Sequence, residues 1–146
     1  MTFTPETKSV VVGGTSGIGK AVANALRERL GHVEIAGRST GLDVTGEAAI
    51  ATYFEALGPV DHVIMTAGSA APGGNVSNVS FDAAKIAFDT KFWGSVAIAK
   101  AAAKHIQPGG TITLTSGFLA RRTVPGTYVK TAMNAAIEAI AKILAK

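Results

Sequence analysis

The chain has 146 residues, 47% of them hydrophobic and 16% charged, with a formal net charge of +4 and no cysteine. Such a length suits a single folded domain with a sizeable core, and the composition is not that of a disordered segment. The lack of cysteine excludes a disulfide framework, thiol catalysis and cysteine-ligated metal, and the basic residues are too scattered for a nucleic-acid surface, with Arg121-Arg122 the only adjacent pair before the last helix.

In chain order, "KSVVVGG" is a β-branched run closed by glycines and predicts a buried strand. From Gly17 to Leu30 the apolar period changes to that of a helix, with Ile18, Ala21, Val22, Ala25, Leu26 and Leu30 on one face and Gly31 as the stop. "HVEIAGR" is a second strand and "STGLDV" a loop. "TGEAAIATYFEALG" predicts a helix capped by Thr45 and closed by Gly58. "VDHVIMTAG" is a third strand and "SAAPGGNVSN" a flexible loop.

Ser80 is placed to cap a long helical stretch to His105, with a break expected between Asp82 and Lys85. "GGTITLTSG" is a fourth strand, and Pro125 to Lys146 a last helix with Val129, Ala132, Met133, Ala136, Ile137, Ile140 and Ile143 or Leu144 inward. Alternating strands and helices imply parallel strands with helical crossovers. The expected fold is an open three-layer α/β sandwich: a Rossmann-like sheet of four to five parallel strands in one domain, residues 1–146, in order 2-1-3-4 with "TITLTSG" at an open edge.

His32, His62 and His105 lack metal-ligand spacing and read as surface or strand-end histidines. "MTFTPETK" is not laid out as a signal peptide, and the long uncharged run after Asp61 is broken by Gly, Pro, Asn and Ser, so the expected location is the cytoplasm, away from membranes.

"VVVGGTSGIGKA" fits two phosphate-binding patterns. From Gly14 it is G-x-x-x-x-G-K-A, a P-loop whose Mg²⁺-binding Ser or Thr is replaced by Ala21, and the third strand ends without the expected Asp. From Gly13 it is G-x-x-x-G-x-G, a turn that brings backbone N–H groups to a pyrophosphate at a helix N-terminus. The second strand should then end at the adenosine ribose. There a small Gly37 followed by Arg38 leaves room for a 2′-phosphate and supplies a bidentate cation, so NADP is expected over NAD.

On these residues the chain resembles the short-chain dehydrogenase/reductase family along nearly its whole length. Gly13, Gly17 and Gly19 match that family's glycine turn, with Thr15, Ser16 and Ile18 between them as cofactor contacts. In "LDV", the resemblance implies that Asp43 bonds the adenine amino group beside Val44. In "TAG", it places Ala67 and Gly68 under the cofactor ribose. "TITLTSG" supplies Ser116 to polarise a substrate oxygen, and the last helix supplies Lys130 to hold the nicotinamide ribose. The implied reaction is hydride transfer between NADP(H) and a small-molecule carbonyl or alcohol, and the long and last helices would form a homo-oligomer interface.

The chain also departs from the family pattern. The proton-donating tyrosine belongs four residues before Lys130, where Gly126 stands; Tyr128 lies two before it, a helical rotation of roughly 200°. Tyr128 is a candidate donor only if the backbone there is irregular. The family's helix asparagine falls at Lys91, to reach inward as a cation or to be solvated, and its Asn-Asn pair reads Met65-Thr66. Family members also continue further; with the displaced tyrosine, this leaves a cofactor-binding module without turnover or a shortened Rossmann fold as the alternative, and the glycine pattern leaves a P-loop nucleotide hydrolase, disfavoured by Ala21.

Overall fold

The computed structural model describes residues 4–29, 31–68 and 70–146. Leu30, expected on the first helix, and Ser69, expected in the loop after the third strand, lie outside the described residues. The elements are β1 (Lys8–Val12), α1 (Gly17–Arg29), β2 (His32–Ala36), α2 (Glu47–Leu57), β3 (Val60–Met65), α3 (Phe81–Phe88), α4 (Gly94–Ala102), β4 (Ile106–Leu114) and α5 (Tyr128–Leu144). A five-residue π turn, Asp89–Trp93, joins α3 to α4, and single 3₁₀ turns occupy Arg38–Thr40 and Phe118–Ala120.

The four strands form one parallel sheet in the order β2-β1-β3-β4, as alternation of strand and helix demands. Val10 faces Glu34 in β2 and Val63 in β3, while β4 pairs only with β3 and forms an edge. Successive residues of a strand point to opposite faces. Val10, Val12, Val63 and Met65 therefore share one face and meet Ile50 and Phe54 of α2 and Ile98 and Ala102 of α4, all essentially inaccessible to solvent. Val11 points the other way and is equally buried, on the face that α1 covers. Helices on both faces complete the expected three layers, and none among the described residues is long and apolar enough to cross a membrane.

Several local expectations are corrected. The buried side of α1 carries Gly19 and Ala23, while Ile18, Ala21 and Ala25 are exposed. The helix lies so close to the sheet that its smallest residues must face inward. Thr45 does not cap α2; its hydroxyl and N–H both bind the Asp43 carboxylate (2.7 and 2.9 Å), and Gly46 takes the cap position. Ser80 does cap its helix, accepting from the Ala83 N–H at 3.2 Å, but the irregularity falls at the π turn and not between Asp82 and Lys85.

The last helix begins at Tyr128, because Gly126 has φ +75° and cannot continue a right-handed turn. Ala132, Ile143 and Leu144 are exposed, since α5 packs chiefly on the Phe118–Ala120 and Asp89–Trp93 turns. Val129 and Met133 meet Ala87 in a small second core, with Phe88 against it.

Candidate functional site

The glycine turn lies between the carboxyl end of β1 and the start of α1. Its first residue, Gly13, has φ +87°, and its N–H donates to the Ala36 carbonyl at the end of β2 (2.7 Å). A Cβ there would lie 2.7 Å from the Ala67 nitrogen, so no side chain fits. Gly19 is tighter still: an added Cβ would press into the Gly13 carbonyl oxygen and Thr66 Oγ1 and stand 2.8 Å from the Gly13 carbonyl carbon.

Between these two glycines, Thr15, Ser16, Gly17 and Ile18 are all exposed, Ile18 at 70%. The first helical bond runs from the Lys20 N–H to the Ser16 carbonyl (3.0 Å). The amides of Gly17, Ile18 and Gly19 are thus first-turn donors with no helical acceptor. Donors of this open first turn, at the positive end of the α1 dipole, form a cradle suited to a phosphate group. These residues fit a dinucleotide pyrophosphate.

Beside the turn, Gly37 follows β2, and a Cβ there would still be 4.0 Å from the Gly13 nitrogen. The Gly37 N–H donates to Thr40 Oγ1 (2.8 Å), and its carbonyl accepts from the Thr40 and Leu42 N–H groups (both 2.9 Å). This knot holds Arg38 on a short 3₁₀ turn, exposed and without an ion pair among the described residues. Asp43 follows, its carboxyl held below the usual carboxylate range by the Thr45 backbone and hydroxyl bonds, with a smaller contribution from the Arg38 charge. Its Oδ1 takes both Thr45 bonds. Val44 is buried, its side chain and carbonyl against Gly94.

At the end of β3, Ala67 and Gly68 are half-buried, Ala67 under Gly13. Thr66, not anticipated as a site residue, is the clamp: its N–H and hydroxyl both donate to the Val12 carbonyl at 2.8 Å, directly beneath Gly19. Its position before Ala67-Gly68 was the only available signal. Gly68 (φ +89°) abuts Lys91, whose Cβ lies 2.7 Å from where a Gly68 Cβ would be. Lys91 sits in the π turn, half-buried, and desolvation pushes its pKa down.

At the end of β4, Ser116 Oγ donates to Glu138 Oε1 (3.1 Å) and approaches the Asn134 carbonyl (3.2 Å), both on α5. Glu138 in turn accepts from Arg121 Nε at 3.0 Å, and chiefly this bond holds its carboxyl below the usual range, aided by Ser116. A cavity of about 510 Å³ opens here, lined by Ser116, Phe118, Arg121, Arg122 and Glu138. Asn134 is buried under Gly117. Neither Glu138 nor Asn134 was expected at the site; their separation of 18 to 22 residues from Ser116 follows no short motif.

Tyr128 opens α5 in regular helix and is 39% exposed. It lines a different cavity, about 470 Å³, with Asn75, Val76, Val124, Pro125 and Thr131. Lys130, half-buried in the first turn of α5, lines neither cavity. The structure thus gathers Gly13–Gly19, Arg38, Ala67, Gly68 and Lys91 around the carboxyl ends of β1 to β3, but gives Ser116 and Tyr128 separate surroundings. No cluster of three or more potential metal ligands occurs among the described residues.

Residues 19–146 match the family model described as enoyl-(acyl carrier protein) reductase. A comparison with curated proteins returns no significant match. Among solved structures, a small-chain dehydrogenase is 54% identical with a TM-score of 0.91, over 95% of this chain and 75% of its own. A small-chain dehydrogenase in complex with NADPH is likewise 54% identical (TM-score 0.92), over 95% of this chain and 64% of its own. This chain therefore spans roughly two thirds to three quarters of those proteins. A short-chain dehydrogenase/reductase from Serratia marcescens BCRC 10948 shares the fold at 20% identity (TM-score 0.79), over 95% of this chain and 72% of its own. With its fold, its glycine turn and a family match along most of its length, the chain belongs to the short-chain dehydrogenase/reductase family.

Proposed function

We propose that the chain is an NADP(H)-dependent oxidoreductase acting on a small-molecule carbonyl or alcohol. The observation that carries this reading is the pairing of the open first turn of α1 with Arg38 just past β2. The first-turn amides of Gly17, Ile18 and Gly19, which lack a helical acceptor, suit a pyrophosphate. Arg38, preceded by a residue without a side chain, suits a phosphate on the adenosine ribose. The 54% identical relative with NADPH bound supports the same cofactor.

In this reading Asp43 and Val44 flank the adenine, Ala67 and Gly68 lie below the ribose, and Lys130 orients the nicotinamide half. When bound, the reduced nicotinamide supplies a hydride. The chain positions the acceptor and provides a proton. Ser116 stands at the end of β4, where it can meet a substrate oxygen only by exchanging its bond to Glu138. Exposed Phe81, Ile86 and Trp93 on α3 and the π turn support self-association through the long helix.

Titration of NADPH, NADH and ATP, followed by NADPH emission and Trp93 fluorescence, tests the reading. NADPH should bind most tightly, and turnover should follow with a panel of aldehydes, ketones and an enoyl thioester. Preferential ATP binding would reject it. NADPH binding without turnover on any substrate would leave a silent cofactor module.

A further inference from the structure

Three side chains are candidates for the proton of the reduction: Ser116, Tyr128 and Lys91. Ser116 donates its hydroxyl hydrogen bond to the Glu138 carboxylate, an acceptor already fixed by Arg121. Tyr128 lies on the cavity of the 123–126 loop, which neither Ser116 nor Lys130 lines. Lys91 differs from both. Its backbone and Cβ abut Gly68, the glycine that follows β3, so the side chain starts beside the segment expected under the cofactor ribose.

The backbone around Lys91 is unusual. It occupies the middle of the π turn Asp89–Trp93, an element that recurs at functional sites because it displaces a side chain from the regular helical row. The Lys91 carbonyl is pinned by Ser95 Oγ at 2.6 Å, and Ser95 is buried. Its ammonium has no carboxylate or hydrogen-bond acceptor among the described residues.

The neighbouring elements supply no counter-charge. Residues 66–79 contain no titratable side chain. On α3, Asp82 pairs with Lys85 (3.2 Å); on α4, Lys100 pairs with Glu47. Asp89, in the same π turn, is exposed and makes no ion pair. From α5 come Tyr128, Lys130 and the Arg121-bound Glu138. A half-buried ammonium with no anion beside it releases its proton more readily than a solvated lysine, in keeping with the lowered pKa.

We propose that Lys91, in place of a tyrosine, is the proton donor of the reduction. The inference rests on the cofactor reading above. With the cofactor bound, the reduced nicotinamide would supply the hydride and its electron pair to the carbonyl carbon. The C=O π pair moves onto oxygen, and Lys91 Nζ–H gives its proton to that oxygen. The neutral amine then regains a proton from water, so the donor is restored and the products are alcohol and oxidised cofactor.

The test compares Lys91→Met and Lys91→Arg with the unaltered protein. Arginine keeps the charge but does not release a proton at working pH. Both variants should bind NADPH within about twofold of normal and lose roughly 100-fold or more in kcat, the usual scale of general acid catalysis. The alkaline fall in the kcat/KM profile should disappear with them, while Tyr128→Phe keeps both rate and profile. Separately, ¹³C-methylated lysines of the cofactor-free protein should show one resonance titrating below the rest and missing in Lys91→Arg. Full turnover in Lys91→Arg, loss of turnover in Tyr128→Phe alone, or a Lys91 resonance titrating with the others would overturn the proposal while leaving the cofactor reading intact. Absence of NADPH binding to the unaltered protein would remove both.

Discussion

Replacing Gly19 with alanine puts one methyl where the structure has no room for it. The new carbon would stand 2.8 Å from the Gly13 carbonyl carbon and closer to both the Gly13 oxygen and Thr66 Oγ1. Carbon pairs prefer about 3.5–4.0 Å. Relief by movement of Gly13 is opposed by its 2.7 Å bond to Ala36, and Thr66 is held twice by Val12. Overpacking of this kind costs about 1–3 kcal/mol and occasionally more. Because both neighbours are anchored, about 2–4 kcal/mol is the appropriate end of that scale. Alanine returns about 1 kcal/mol through helix propensity. The net loss is therefore about 1–3 kcal/mol, read by urea denaturation at equilibrium.

Gly17→Ala is the control for crowding: its Cβ meets nothing within 4 Å, and only the left-handed φ of +51° is unfavourable, at roughly 1–2 kcal/mol with no helix-propensity gain to offset it. The two variants should also separate in NADPH affinity, since a displaced Gly13–Gly19 backbone misaims the amides. At least a tenfold rise in Kd is expected for Gly19→Ala, equivalent to about 1.4 kcal/mol. If Gly19→Ala matched the unaltered protein in both stability and NADPH affinity, the close approach of α1 to the sheet would be wrong.

Arg38→Ala should weaken NADPH binding by roughly 10- to 100-fold, the worth of a charge-assisted bond, and leave NADH almost unchanged; equal losses in fluorescence titration would reject the 2′-phosphate role. Phe54, fully buried with its ring edge-on to Tyr53 at 5.4 Å, should cost about 3–5 kcal/mol when cut to alanine. A thermal-melt loss under about 1 kcal/mol would show that α2 is not part of the core. Arg121 and Ser116 hold Glu138 below its ordinary range, so the stability it contributes is present above its unfolded pKa and fades as pH falls through the folded value. Glu138→Gln should therefore flatten the stability-versus-pH curve in that acid window, and an unchanged curve would mean that the Arg121 bond does not form in solution.

The sheet order and the glycine turn were legible because both are local or combinatorial. A β-branched run ending in glycines reads as a buried strand whatever surrounds it, and alternating strands and helices leave few parallel orders open. The face of α1 was not legible. Its apolar stripe is wide enough to face the sheet in more than one rotation, and the choice falls to Gly19, which a hydrophobicity pattern passes over as neutral. Thr45 misled for a related reason: Thr and Asp both compete for nearby backbone, and only the folded loop decides that Asp43 takes the Thr45 donors.

The same distinction separates the two halves of the site. Cofactor recognition here depends on main-chain amides, and amides are placed by glycine spacing, which the sequence displays directly. Proton delivery depends on where a few side chains turn, and that is settled by partners far along the chain. Ser116 looks available beside Gly117, yet Glu138, 22 residues on, takes its hydrogen bond. Tyr128 looks like a displaced donor, yet the φ of +75° at Gly126 starts the helix late and leaves the ring on another cavity. Lys91 looks like a solvated helical lysine until the π turn and the bare Gly68 bring its Cβ against the segment after β3. A chain can therefore announce its cofactor through its glycines while its acid is decided by packing, and a proton donor is free to change residue type without disturbing the cradle.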